Sequence, residues 1–326
     1  MVPLSILELV RVAEDSTPRA ALDNARDLAR HAERWGYHRI WVAEHHNMIG
    51  IASAATSIVI AHIAAGTSSI RVGAGGIMLP NHAPLIIAEQ FGTLAQLYPG
   101  RIDLGLGRAP GTDQETVRAL RRTPGAADTF AQDLRELQSY FEPEAAQRRI
   151  QAVPAAGTRV PLWILGSSSF GAVLAADLGL PYAFASHFAP GMLHSALELY
   201  RHRFRPSTQQ ARPWTMVGVN IIAAETDGEA RRLWTTQQMS FVELIRGRPR
   251  LARRPIDNIE DFWSPEEKAR VSQMLACSIV GAPDTVRAGI HQLVDETDAD
   301  ELIVVSDIYD HAARLRSFEL IAEAIR

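Results

Sequence analysis

The sequence predicts an α/β protein built as a closed (β/α)8 barrel, a TIM barrel. Three observations point there. Short runs rich in Val, Ile and Leu alternate with longer segments of helical period, eight times over. The runs LWIL at 162–165 and LIVV at 302–305 are apolar on both faces, as in a sheet covered throughout. No linker rich in Pro, Gly or Ser divides the 326 residues, so 1–326 reads as one domain. Strict strand-then-helix alternation implies parallel strands with right-handed crossovers, and eight units favour closure over an open doubly wound sheet.

The first strand is Leu4–Val10, and a helix follows over 18–36, with Thr17 as cap, Pro18 in its first turn and Gly36 at its end. Arg39–Ala43 is the second strand, followed by a helix at 52–65. Ile70–Gly73 is the third, followed by a helix from Pro84 to Tyr98. Arg101–Leu106 is the fourth, with helical material to Phe141. Val160–Leu165 is the fifth, with a helix from Ser168 to Leu178. Tyr182–Ala185 is the sixth, with a helix near 191–204. Thr215–Ala224 is the seventh, with a helix from Asp227 to Ile245. Glu301–Val305 is the eighth, and a helix from His311 closes the chain. The stretch 247–282 breaks the rhythm with RGRPRLARRP, an acidic DNIEDF and a short helix before the Pro283–Glu296 helix. It reads either as a lid over the barrel mouth or as a surface excursion.

Composition excludes several classes. Cys277 is the single cysteine, which rules out a disulfide scaffold or a Cys-rich zinc site. The net charge of −4 gives no basic footprint for nucleic acid. Lys268 is the single lysine, in an exposed-looking helix start, which argues against Schiff-base chemistry and a Walker-type phosphate loop. The N-terminus has no basic start before an apolar stretch, and no window is long and apolar enough to span a membrane. A cytoplasmic location is the expectation.

Barrel enzymes carry their chemistry at the C-terminal ends of the strands. Strand two ends in Glu44-His45-His46; alternation puts Glu44 and His46 on one face and His45 on the other, so adjacent histidines do not share one metal without a turn. No metal is expected. Strand three runs into Gly75-Gly76, which reads as a close approach for a flat ligand or as an ordinary bulge. Strand four delivers Arg108 after the small residues of GLG, suited to a phosphate or carboxylate or to an ion pair with a neighbouring acid. Strand five ends in Gly166-Ser167-Ser168-Ser169-Phe170-Gly171 and leads into a helix. Its free amides and dipole form an anion site, unless a serine merely caps the helix. His187 ends strand six, facing either substrate or packed neighbours.

Five segments together carry a resemblance. They are IWVAEHHNM (40–48), VGAGGIMLPNHAPLIIAEQ (72–90), YPGRIDLGLGRAPG (98–111), PLWILGSSSFGAVLAADLGLPYAFASHF (161–188) and the tail IVGAPDTV…DELIVVSDIYDHAARL. In this order and spacing the chain resembles the bacterial luciferase-like flavin monooxygenases over about residues 3–320. The resemblance implies a barrel that binds FMN in its reduced form, with the deazaflavin F420 as the less favoured alternative. It also implies O2 and a small organic molecule as substrates and a homodimer. By the same resemblance, His45 matches the catalytic histidine with Glu44 beside it, and Gly75-Gly76 match a non-prolyl cis peptide beside the flavin ring. Arg108 and 166–171 match the phosphate-binding elements. Light-emitting members carry a reactive cysteine where this chain has Gly107, so light emission is not implied. GAGGIM lacks the third glycine and the following acid of a dinucleotide fingerprint, so a separate flavin reductase is expected. The competing class is a phosphate-binding barrel without redox chemistry.

Overall fold

The computed structural model describes residues 2–109, 113–122, 125, 127–147 and 149–326. Pro110 and Gly111, the end of the 98–111 segment, lie outside the described residues. The chain runs β1 (Leu4–Glu8), α1 (Pro18–Trp35), β2 (Arg39–Val42), α2 (Thr56–Ala64), β3 (Arg71–Met78), α3 (Pro84–Leu97), β4 (Ile102–Gly107), α4 (Gln114–Ala119) and α5 (Phe130–Phe141). It continues with β5 (Leu162–Gly166), α6 (Ser169–Leu178), β6 (Tyr182–Phe184), α7 (Leu193–Arg203), β7 (Thr215–Ala223) and α8 (Asp227–Ile245). It ends with α9 (Pro265–Met274), β8 (Ser278–Gly281), α10 (Pro283–Thr297), β9 (Glu301–Val305) and α11 (His311–Ala324).

Parallel pairing runs from β1 through β6, β6 pairs with β7, β7 with β9 and β9 with β1. Eight strands therefore close into the predicted barrel. The first helix forms as its sequence signals require: the Thr17 hydroxyl accepts from the Ala20 amide at 3.2 Å, and Gly36 ends it in the left-handed region at φ 83°.

Two elements differ from the sequence expectation. The third strand does not stop at Gly73 but runs to Met78. Pairing with β4 shifts register between Ala74 and Ile77 and then resumes at Ile77–Leu106. The stretch 247–282 is not a bare excursion, because it contains α9 and the ninth strand, β8. Asn220 pairs with Val305 of β9 and with Ser278 of β8, so β8 lies on the β7 edge that β6 uses lower down. The start of the stretch is stitched to the β1–α1 loop: the Ala252 amide donates to the Val12 carbonyl at 2.8 Å and the Glu14 amide to the Ala252 carbonyl at 2.9 Å.

The main apolar core fills the space between strands and helices, from Ile6, Ile40, Val72 and Leu104 outward to Leu28, Ile60 and Phe91. A second cluster lies within the barrel around Leu7, Trp41, Trp163, Met216 and Ile303. Below it, at the N-terminal ends of the strands, sits a buried ionic plug. Arg39 donates to Asp103 at 2.7 Å and to Glu301 at 2.8 and 3.1 Å. Arg71 reaches Asp103 at 2.5 Å, Trp41 Nε1 donates to it at 3.1 Å, and the Ser5 hydroxyl donates to Glu301. With its floor closed by this network, the barrel can take a ligand only at the opposite end, where the loops after the strands converge.

Candidate active site

The end of β2 separates its two acid–base groups. Glu44 turns toward β3 and the start of α3. Its Oε2 accepts from the Met78 amide at 2.9 Å, and its Oε1 meets His46 Nε2 at 2.7 Å, His82 Nε2 at 2.9 Å and Asn81 Nδ2 at 3.4 Å. Burial raises the proton affinity of this carboxyl, but the bonds from His82, His46 and the Met78 amide outweigh it and hold Glu44 below its usual range. The ligand atoms of Glu44, His46 and His82 lie within 4.8 Å of one another, and the two imidazole–carboxylate separations are those of hydrogen bonds. Glu44 thus clamps the end of β3 to the end of β2. The resemblance places it beside His45 in catalysis, and in the structure both of its oxygens accept hydrogen bonds. Alternation along the strand anticipates the Glu44–His46 pairing. His82 was not singled out, although it stands inside the 72–90 segment.

His45 lines a cleft of about 330 Å³ together with Asn47, Met48, Ile49, Ile51, Ala54 and Pro249. Pro249 brings the 247–282 stretch to the mouth. His45 Nδ1 is buried and has no hydrogen-bond partner among the described residues. Burial is the main reason its pKa falls to about 4. The nearby Arg11 and His46 add to the fall and Glu44 opposes it. His187, after β6, behaves alike: its Nδ1 is buried and has no partner among the described residues, and burial followed by the proximity of His45 lowers its pKa to about 4. Both imidazoles are therefore neutral at neutral pH. Each is harder to protonate folded than unfolded, so the unfolded chain binds more protons between pH 6.5 and about 4, and stability falls as pH falls through that window. Urea midpoints measured across it should drop less steeply for the double variant His45→Asn/His187→Asn. Parallel slopes would contradict the burial of the two neutral rings.

Gly75 and Gly76 are joined by a cis peptide bond. Neither position has room for a side chain: a Cβ at Gly75 would come within 2.8 Å of Leu7 and 2.9 Å of Trp41, and one at Gly76 within 2.7 Å of the Gly105 carbonyl. The backbone here packs too closely on its neighbours to admit a side chain.

The anion elements come together at β4 and β5. The Arg108 guanidinium stacks on the Phe170 ring, 3.9 Å from its centroid, and has no carboxylate partner among the described residues. Stacking orients the planar fork and leaves its N–H edge available. Ser168 is the N-cap of α6 but its side chain makes no capping bond, and the first turn carries no acid. The hydroxyls of Ser167, Ser168 and Ser169 have no partner among the described residues, while the Ser168 carbonyl accepts from Tyr182 at 3.1 Å. Gly166 and Gly171 close the turn, with Gly166 Cα 3.6 Å from where a Gly171 side chain would begin. The expected alternatives, an ion-paired Arg108 and a serine cap, are not what these residues do.

The imidazoles of His45 and His187, and Arg108 without a carboxylate partner among the described residues, all stand at the open end of the barrel. The family model described as luciferase-like monooxygenase matches residues 2–300. A protein of Escherichia coli (strain K12) named luciferase-like monooxygenase is 53% identical over 320 residues, covering 98% of this chain and 96% of that one. The crystal structure of apo-MsnO8 superposes with a TM-score of 0.93 at 40% identity, covering 100% of this chain and 98% of that one. The oxygenating constituent of 3,6-diketocamphane monooxygenase from Pseudomonas putida, solved in complex with FMN, has a TM-score of 0.71 at 19% identity, covering 100% and 98% of the two chains, and so shares the fold. The chain belongs to the luciferase-like monooxygenase family. No helix among the described residues is long and apolar enough to cross a membrane.

Proposed function

We propose that the barrel mouth binds reduced FMN and that the protein is a two-component monooxygenase acting on a small organic molecule, fed by a separate flavin reductase. The observation that carries this reading is Arg108, stacked on Phe170 beside the uncapped start of α6 and without a carboxylate partner among the described residues. A fixed cation and free helix amides at one point match a phosphate monoester. FMN carries such a phosphate at one end and a planar ring at the other, and the Gly75–Gly76 backbone, bare of side chains, is suited to a close approach by the ring. Bound there, reduced FMN supplies the electrons that activate O2 for transfer of one oxygen atom to the substrate. His45, neutral and with a free Nδ1, holds or delivers a proton at the reacting end. Met48, Ile49 and Ile51 give the cleft around it an apolar lining. Glu44 acts at one remove by fixing the end of β3.

Arg108→Ala is expected to weaken FMN by about 10- to 150-fold, the value of one charge-assisted hydrogen bond, and to leave riboflavin, which lacks the phosphate, nearly unchanged. An equal loss for both flavins would place Arg108 in a structural role instead. The overall reading is tested by supplying NADH, FMN and O2 with and without an added flavin reductase. The chain alone should oxidise no NADH and should consume reduced FMN only when the reductase is present. NADH oxidation by the chain alone would overturn the two-component reading, and use of F420 in place of FMN would overturn the cofactor.

The same reading includes a homodimer. Ile58 on α2 and Ile86 and Leu97 on α3 are 70, 46 and 62% exposed on neighbouring helices, an apolar area that a second copy would cover. A monomer by light scattering at micromolar concentration would reject it.

A further inference from the structure

We propose that His187 is a second substrate-facing imidazole, standing opposite His45, and that the pair receives one uncharged hydrogen-bonding group of the organic substrate. The inference rests on the flavin-monooxygenase reading above and adds to it a residue and a substrate chemistry. Three strands separate β2 from β6 in either direction round the barrel, β3–β5 one way and β1, β9 and β7 the other, so the two histidines rise from opposite walls.

His187 is held in place by its backbone, while its ring is left unoccupied. Its carbonyl accepts from Asn220 Nδ2 at 2.6 Å, and Asn220 is fixed in turn by Gln237 at 2.7 Å. The neighbouring Ser186 hydroxyl donates to the Gly218 carbonyl at 2.5 Å. The ring packs edge-on against Phe188, with centroids 4.9 Å apart, and lies over Gly218, where a Cβ would come within 2.5 Å of Nδ1. A glycine on β7 thus makes the space this imidazole occupies. After all this anchoring, Nδ1 is buried without a partner among the described residues, as is Nδ1 of His45. Buried polar atoms are nearly always satisfied, and two left open at one mouth point to a ligand that satisfies them.

The charges around the pair specify the ligand. Arg11, the cation near His45, has its charge balanced by Asp307, whose Oδ2 lies 3.1 Å from Nε without a hydrogen bond, and it donates to Ser240 at 2.6 Å. Glu44 and His46 are bonded to each other. Both facing imidazoles are neutral. A carboxylate or ammonium placed between them would lose its hydration without gaining a counter-charge, whereas a carbonyl or hydroxyl would gain hydrogen bonds.

The test uses protein carrying FMN and labelled with 15N-histidine, with cyclohexanone as the uncharged probe and cyclohexanecarboxylate as the charged one. Cyclohexanone should move the ring-nitrogen resonances of both His45 and His187 saturably, and the carboxylate should move neither. His187→Ala should weaken cyclohexanone by about 3- to 10-fold, the value of one neutral hydrogen bond. It should leave FMN affinity within about twofold, and His187→Asn should recover part of the loss. Gly218→Ala should reproduce the loss with His187 intact, by displacing its ring. His187 resonances unmoved by the ketone, equal response to the carboxylate, or a loss of FMN affinity matching the loss of ketone affinity would overturn the proposal. Wild-type protein that binds no FMN would sink the flavin reading instead, so the two failures are distinct.

Discussion

His45→Ala should abolish oxygenation while the barrel stays folded and still binds FMN. The side chain supports no structure: its Nδ1 has no partner among the described residues, so truncation breaks no hydrogen bond there. What is lost is a neutral acid–base group at the mouth, and such groups contribute ~10²–10⁴-fold to rate. With a pKa lowered to about 4, mainly by burial, His45 is unprotonated at neutral pH, and on the proposed reading it takes a proton and returns it. The signature is a split between two rates. Reduced FMN should still be oxidised by O2, but product formed per flavin should collapse by at least 10²-fold. Unchanged product per flavin would remove His45 from the chemistry, and a parallel loss of FMN affinity would make it a binding residue.

Asp103→Ala should be among the most destabilising single changes in the chain, costing about 3–5 kcal/mol as the removal of one partner from a buried ion pair does. Asp103 is fully buried and receives Arg39, Arg71 and Trp41 Nε1 together. Its loss leaves Glu301 as the remaining acid of the plug, facing Arg39, while Arg71 keeps the Gly100 and Ile102 carbonyls and the Trp41 indole loses its acceptor. Urea unfolding measures the cost directly. A loss under about 1 kcal/mol would mean that water replaces the carboxylate and that the plug is solvated. The variant should retain near-normal FMN affinity while folded, since the plug and the mouth lie at opposite ends of the barrel.

The barrel was legible because its strands are apolar on both faces and its helices carry their own start and stop signals, as Thr17, Pro18 and Gly36 show. Strand β8 was not, because SIVG falls inside the 247–282 stretch, whose basic and acidic runs mask one more strand–helix unit between α9 and α10. The third strand was cut short because glycines usually end strands, whereas here pairing resumes past Gly76. At the mouth, alternation along β2 was enough to separate His45 from Glu44 and His46. The partner His82 was hidden 38 positions away, and a contact at that distance leaves no local pattern. The plug was hidden for the same reason. Arg39 meets Asp103 and Glu301 across 64 and 262 positions, and charges at strand starts read locally as surface flanks.

The central claim, that the mouth is built for reduced FMN, is tested most directly by anaerobic fluorescence titration of the wild-type protein with reduced FMN and with reduced riboflavin. The account predicts saturable binding of one FMN per chain, at least about 10-fold tighter than riboflavin because of the Arg108 and α6 contacts. Absence of saturable FMN binding, or equal affinity for the two flavins, would contradict it.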